Sequence, residues 1–167
     1  AFSGSREDLE NAFRAAGWSE AELLTPRSFS RAYTAYTRQT GYAAAPMSKL
    51  LYRDEKPDLA FQKSFNTMRK RDHIRLWQTE AEGQELWLGA ATHDVGVKFK
   101  TAGALTHQIL PLIDSERAKV VNDLSLSGGV ARTGYVERPG AVRTAMIGEE
   151  VMTDGRLAVL YLRSSCR

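Results

Sequence analysis

Cysteine is nearly absent from this chain; the one residue, Cys166, stands next to the last position. A disulfide within the chain is thereby excluded, and so is a zinc site built on cysteine ligands. Long apolar runs are missing too, and none approaches the roughly 20 residues that a membrane-spanning helix needs. Histidine is scarce: His73, His93 and His107 are the full set, all in the middle third. They show no HxH or HExxH spacing, and no serine sits in a GxSxG elbow, so neither a compact metal motif nor an α/β-hydrolase nucleophile is present. The N-terminus opens on structured-looking sequence with no leader pattern, so no signal peptide is expected. The chain as given reads as soluble, yet it could be cut from a larger membrane protein. Charge of one sign is weak as well. A net charge of +3 does not imply nucleic acid, although it suits an acidic ligand or an anionic membrane surface. Lys98-Phe99-Lys100 is too short for a nucleic-acid platform.

What is present is an ordinary globular balance, 43% hydrophobic and 26% charged over 167 residues. That predicts one domain, 1–167, with a sizeable core and no disorder. Ala1 to Gly4 reads as the tail of a strand. Ser5 is an N-cap with Glu7 and Asp8 in the first turn, and Leu9, Ala12, Phe13 and Ala16 fall at helical spacing before Gly17. Thr25-Pro26 starts a second helix, to about Arg38, with Phe29, Ala32, Tyr33 and Tyr36 inward. Short strands are expected at 50–52 and 59–63. Gly96 to Gly103 reads as a flexible excursion, and 104–110 as a strand. Asp114 caps a helix over about 114–127, with Ala118, Val121 and Leu124 inward and Gly128-Gly129 closing it. Val130 to Glu137 and Leu157 to Leu162 are the final strands, the latter apolar on both faces and expected at the centre of a sheet. The fold class is α+β, an antiparallel sheet around a central hairpin with two N-terminal helices and one inserted helix.

The hairpin, Lys70–Thr79 and Glu85–Asp94, organises the rest. Its arms flank Glu80-Ala81-Glu82-Gly83, where Gly83 is free to take positive φ. Strand side chains alternate faces, so the turn pairs odd positions of the first arm with even positions of the second. Arg71, His73, Arg75 and Trp77 then share a face with Leu88, Ala90, Thr92 and Asp94. Ile74 and Leu76 share the other with Trp87, Gly89 and Ala91, and His93 points to that side also. The second set looks like core, while the first mixes cations, an imidazole and a carboxylate with apolar groups.

Imidazoles on neighbouring strands with arginines nearby suit work on a phosphate or carboxylate. Arginine offers a bidentate fork, and histidine moves a proton near neutral pH. His73, Asp94 and His107 are the candidate catalytic residues, with Arg71, Arg75, Asp114, Glu116 and Arg117 as candidate ligand-binding ones. His73, Arg75, Asp94 and His107 are expected to meet on one side of the sheet, with Glu116 and Arg117 at the rim. A purely solvated Arg-His-Arg face and a merely capped helix start at Asp114 fit the same letters. His73, Asp94 and His107 would also supply donors for a divalent metal, but without a tight spacing no metal is assigned, and the cofactor is unknown.

The segments PDLAFQK (57–63), RKRDHIRLW (69–77), LWLGAATHDVGV (86–97) and THQILPLIDSER (106–117) resemble the LssY C-terminal domain family. GSREDLENAFRAAGW (4–18) and LTPRSFSRA (24–32) extend the resemblance over most of the chain. In that family the domain is often joined to membrane modules, including type-2 phosphatidic acid phosphatase and DedA-like segments. The resemblance therefore implies a soluble domain tethered to the bacterial envelope, whose partner is the membrane module of the same protein or an acidic lipid head group. It centres on His73, Arg75, Asp94, His107, Asp114, Glu116 and Arg117, while Asp72 stands where relatives often carry a second histidine. Binding of an acidic, phosphate-bearing ligand is the leading function. The alternatives are a hydrolase or transferase using His73 or His107 with Asp94, metal-assisted or not, and a structural or partner-docking domain.

Overall fold

The structure is a computed structural model that describes residues 1–21, 34, 50–64, 71–81, 83–99, 105–109, 111–137, 142–146 and 149–164. Ser5 caps helix α1 (Arg6–Ala15) by accepting a hydrogen bond from the Asp8 amide at 3.2 Å. Leu9, Ala12 and Phe13 form its buried stripe. Before it, β1 (Phe2–Ser3) is a two-residue strand, and after it comes β2 (Ser19–Glu20). The expected helix from Thr25 to Arg38, with Tyr33, lies outside the described residues apart from Thr34.

Of the two early strands, 59–63 is present as β3 (Leu59–Ser64). Leu50 to Tyr52 is not a strand. Tyr52 instead pairs with Glu55 across a tight turn in which Arg53 and Asp54 take φ of 53° and 66°. The hairpin follows as β4 (Arg71–Ala81) and β5 (Gln84–Phe99). Arg71 pairs with Asp94, His73 with Thr92 and Ala81 with Gln84, and Gly83 sits in the turn at φ 75°. β5 continues to Phe99 and pairs with β6 (Leu105–Ile109), so Gly96 to Phe99 is strand, not an excursion. A register shift between Asp94 and Gly96 absorbs the bend.

Helix α2 (Ile113–Leu126) starts one residue before Asp114. Asp114 is therefore inside the first turn, and the cap position is Leu112, whose side chain makes no capping bond. The carboxylate is engaged elsewhere, as shown below. Glu116, Val120, Val121 and Leu124 face inward, whereas Ala118 is exposed, because the docked stripe is rotated towards positions 116 and 120. Strands β7 (Val130–Glu137), β8 (Val142–Met146), β9 (Glu149–Thr153) and β10 (Arg156–Leu162) complete the chain.

Among the described residues the architecture is α+β. Eight strands make one sheet in the order β2-β3-β4-β5-β1-β10-β7, with β6 added to β5, and β8-β9 form a separate ribbon. Every pairing in the main sheet is antiparallel except β1 with β10. β10 lies one strand in from the edge; Ala158, Leu160 and Leu162 are buried while Tyr161 on the alternate face is exposed. Both helices pack on one face, against Phe2, Phe61, Ile74, Leu76, Trp87 and Leu160. No described helix is long and apolar enough to cross a membrane.

Candidate functional site

Strand β4 is buried on both faces from Arg71 to Trp77, and each face carries a different polar group. The face away from the helices holds Arg71 at 1% exposure, His73 at 3% and Arg75 at 4%. Flanking strands add buried Gln62, opposite His73 on β3, and buried Thr92, opposite it on β5. Arg71 Nη1 donates to Gln62 Oε1 at 3.0 Å. Arg71, His73 and Arg75 all have partners within the protein. Trp77 ends this face, its Nε1 donating to the Glu55 carbonyl at 3.1 Å. Burying guanidinium groups in succession is costly unless anions or strong acceptors meet them, so this is no solvated strand surface.

Asp94 stands opposite Arg71 in the register, on the row beside His73. The backbone of His107 stands farther along the sheet. It pairs with Val97 while His73 pairs with Thr92, five residues apart along β5. At about 3.3 Å per residue and one strand spacing on either side, the two histidines are roughly 15–20 Å apart. In the register β6 joins β5 only beyond the bulge, past the end of the His73 row.

The helix-side face carries a second constellation, one that sequence reasoning did not assemble. Lys63, Asp72 and His93 stand in register across β3, β4 and β5. Above them α2 presents Glu116, Lys119 and Asp123, spaced i, i+3 and i+7 so that they share one helix face. His93 Nδ1 hydrogen-bonds to Asp72 Oδ1 and lies 3.9 Å from Glu116 Oε1. Lys119 Nζ is 3.6 Å from Asp72 Oδ2 and 3.0 Å from Asp123 Oδ2. Asp123 also accepts from Lys63 Nζ at 2.9 Å and from Trp18 Nε1 at 3.0 Å.

Burial first, and then the Asp72 charge, push the Glu116 carboxyl up to about 7. Burial also disfavours the charged form of Asp123, but hydrogen bonds from Lys63 and Lys119 outweigh it and hold that carboxyl below its ordinary range. Asp72, His93 and Glu116 each offer one ligand atom, and these atoms lie within 4.8 Å of one another. The signal for this group was in the letters: the parity that pairs Arg71 with Asp94 also pairs Asp72 with His93. It takes the docking of α2 to bring Glu116 over them.

Glu116 thus sits across the sheet from His73, not at the rim of its face. Asp114 and Arg117 serve a third purpose. Arg117 Nη1 and Nη2 grip both oxygens of Asp154 at 2.8 and 2.9 Å, and Nη1 also reaches Asp114 Oδ1 at 2.9 Å. Asp114 accepts from Thr153 Oγ1 at 2.8 Å and from the Asp154 amide at 2.6 Å. Together they clamp α2 to the β9–β10 turn. Beside the clamp is a cavity of about 240 Å³ lined largely by apolar residues, Ile74, Val120 and Leu160 among them.

Comparison with known proteins gives one family. The model described as the LssY C-terminus matches residues 1–157. No curated protein and no solved structure matches the chain.

Proposed function

The chain belongs to the LssY C-terminal family, and from that premise we propose that it binds a phosphate-bearing ligand, lipid-linked forms included, through the Arg71, His73 and Arg75 face of β4. One observation carries the reading: two guanidinium groups and an imidazole are buried in succession on one face of a strand. Guanidinium matches phosphate bidentately and is more weakly hydrated than an ammonium, so it is the cation best suited to a desolvated anion site. Asp94, opposite Arg71 in the register, belongs to the same proposed site. The full-length protein is tethered to the bacterial envelope in this reading, and the ligand is an acidic head group beside its membrane module.

The experiment is co-flotation with vesicles of phosphatidylcholine alone or with phosphatidic acid, alongside titration with soluble glycerol phosphate. The protein should float with phosphatidic acid vesicles, and Arg75→Ala should weaken binding roughly tenfold or more, since about 1.4 kcal/mol is a factor of ten. Assaying released phosphate in the same samples distinguishes catalysis from binding. In a hydrolase, His73→Ala keeps the ligand bound and loses turnover. Equal binding by wild type and Arg75→Ala would reject the reading.

A further inference from the structure

The helix-side constellation is independent of the face just described, and we propose that Asp72, His93 and Glu116 form a binding site for a divalent transition-metal cation. The three donors come from separate elements, β4, β5 and α2, and are held by the cross-strand pairing of Asp72 with His93 and by the docking of α2 above them. Asp72 is fully buried and Glu116 is 6% exposed. Glu116 Oε2 is buried and has no hydrogen-bond partner among the described residues, and the same is true of Asp72 Oδ2, whose nearest cation is Lys119 at 3.6 Å.

A buried carboxylate oxygen without a donor is an expensive arrangement for a structural network, whereas a cation held between the carboxyls of Asp72 and Glu116 would offset the burial of both. Two carboxylates and one imidazole suit Mn²⁺ or Zn²⁺ better than Mg²⁺, which favours all-oxygen shells, or Cu⁺, which favours sulfur. His93 meets Asp72 through Nδ1, so the metal would take that nitrogen and displace the hydrogen bond.

Lys119 is the group that argues against a cation here, and its surroundings answer the objection. Its ammonium is bonded to Asp123, which Lys63 holds in turn. Both ammonium groups beside the site, Lys63 and Lys119, are bonded to Asp123, which leaves the carboxyls of Asp72 and Glu116 and the His93 imidazole as the donor set for a cation.

The test is titration of the purified, chelator-treated protein with Mn²⁺ and with Zn²⁺ by calorimetry, with thermal midpoints measured in parallel. Wild type should take up one ion per chain and gain thermal stability. Glu116→Gln keeps the shape of the side chain and removes a buried charge, so it should fold, as circular dichroism will show. It and His93→Gln should each bind at least tenfold more weakly, and Glu116→Gln should lose the thermal gain. Glu10→Gln, on the exposed face of α1, should bind like wild type. Absence of saturable uptake by wild type, or uptake by Glu116→Gln and His93→Gln equal to that of wild type, overturns the site. So would a thermal gain that survives in Glu116→Gln.

Discussion

Trp87 is completely buried, paired in register with Phe2 on one side and Gln78 on the other, yet its indole Nε1 has no hydrogen-bond partner among the described residues. Its apolar bulk and its polar atom therefore pull in opposite directions. Trp87→Ala should cost roughly 3–5 kcal/mol through lost transfer energy and the cavity left behind. Trp87→Phe keeps most of the bulk and deletes the orphaned donor, so it should cost about 1 kcal/mol or less. Urea denaturation midpoints will check both, and equal losses would mean that the indole N–H is satisfied. Gly129 tests packing of another kind. A Cβ there would stand 2.7 Å from Ala12 Cβ and 2.9 Å from its Cα, where α1 passes close to the turn after α2. Gly129→Ala should destabilise by roughly 1–3 kcal/mol, because the backbone must move. A neutral result in the same denaturation series would place α1 farther from that turn.

At the scale of elements, the clamp between α2 and the β9–β10 turn carries a pH signature. The Arg117 hydrogen bonds, followed by the Arg156 backbone amide, hold the Asp154 carboxyl far below its ordinary range. A carboxyl depressed in the fold stabilises above its unfolded value near 3.8, and that contribution is lost as pH falls below it. Wild-type stability should therefore fall modestly on the acid side of about pH 4, since the ion pair is solvent-screened, and Asp154→Asn should show a shallower acid slope while losing stability at neutral pH. Urea midpoints at pH 3 and 7 read this directly; parallel slopes would contradict the clamp.

The same scale shows what the letters could reveal. Alternation along 71–79 and 85–94 together with Gly83 defines the hairpin register, since a slip of one residue would turn Ile74, Leu76 and Trp87 out of the core. Asp114 was misleading because an acidic residue after Pro111 fits a cap and a clamp equally; the Asp154 and Thr153 partners lie some forty positions away. The ribbon β8-β9 was invisible for a related reason. VRTAM and EEVMT do not alternate cleanly, and β8 and β9 pair with each other outside the main sheet.

In the molecule as a whole, β4 lies in a sheet with α1 and α2 on one face, and its polar residues divide between the two sides. Asp72 faces α2, whereas Arg71, His73 and Arg75 face the other way. That division separates the proposed metal-ligand set from the proposed phosphate-binding face by the thickness of one strand. It was legible as parity, but the role of each face was not: burial of Arg71 and Arg75 depends on what packs over the sheet, which periodicity does not encode. The most direct measurement of the central claim is the NMR signal of the arginine side-chain Nε–H groups during titration with inorganic phosphate and glycerol phosphate. The account predicts saturable shifts of the Arg71 and Arg75 resonances, lost for the remaining arginine when the other is changed to alanine. Shifts confined to other arginines, with Arg71 and Arg75 unmoved at saturating ligand, would contradict it.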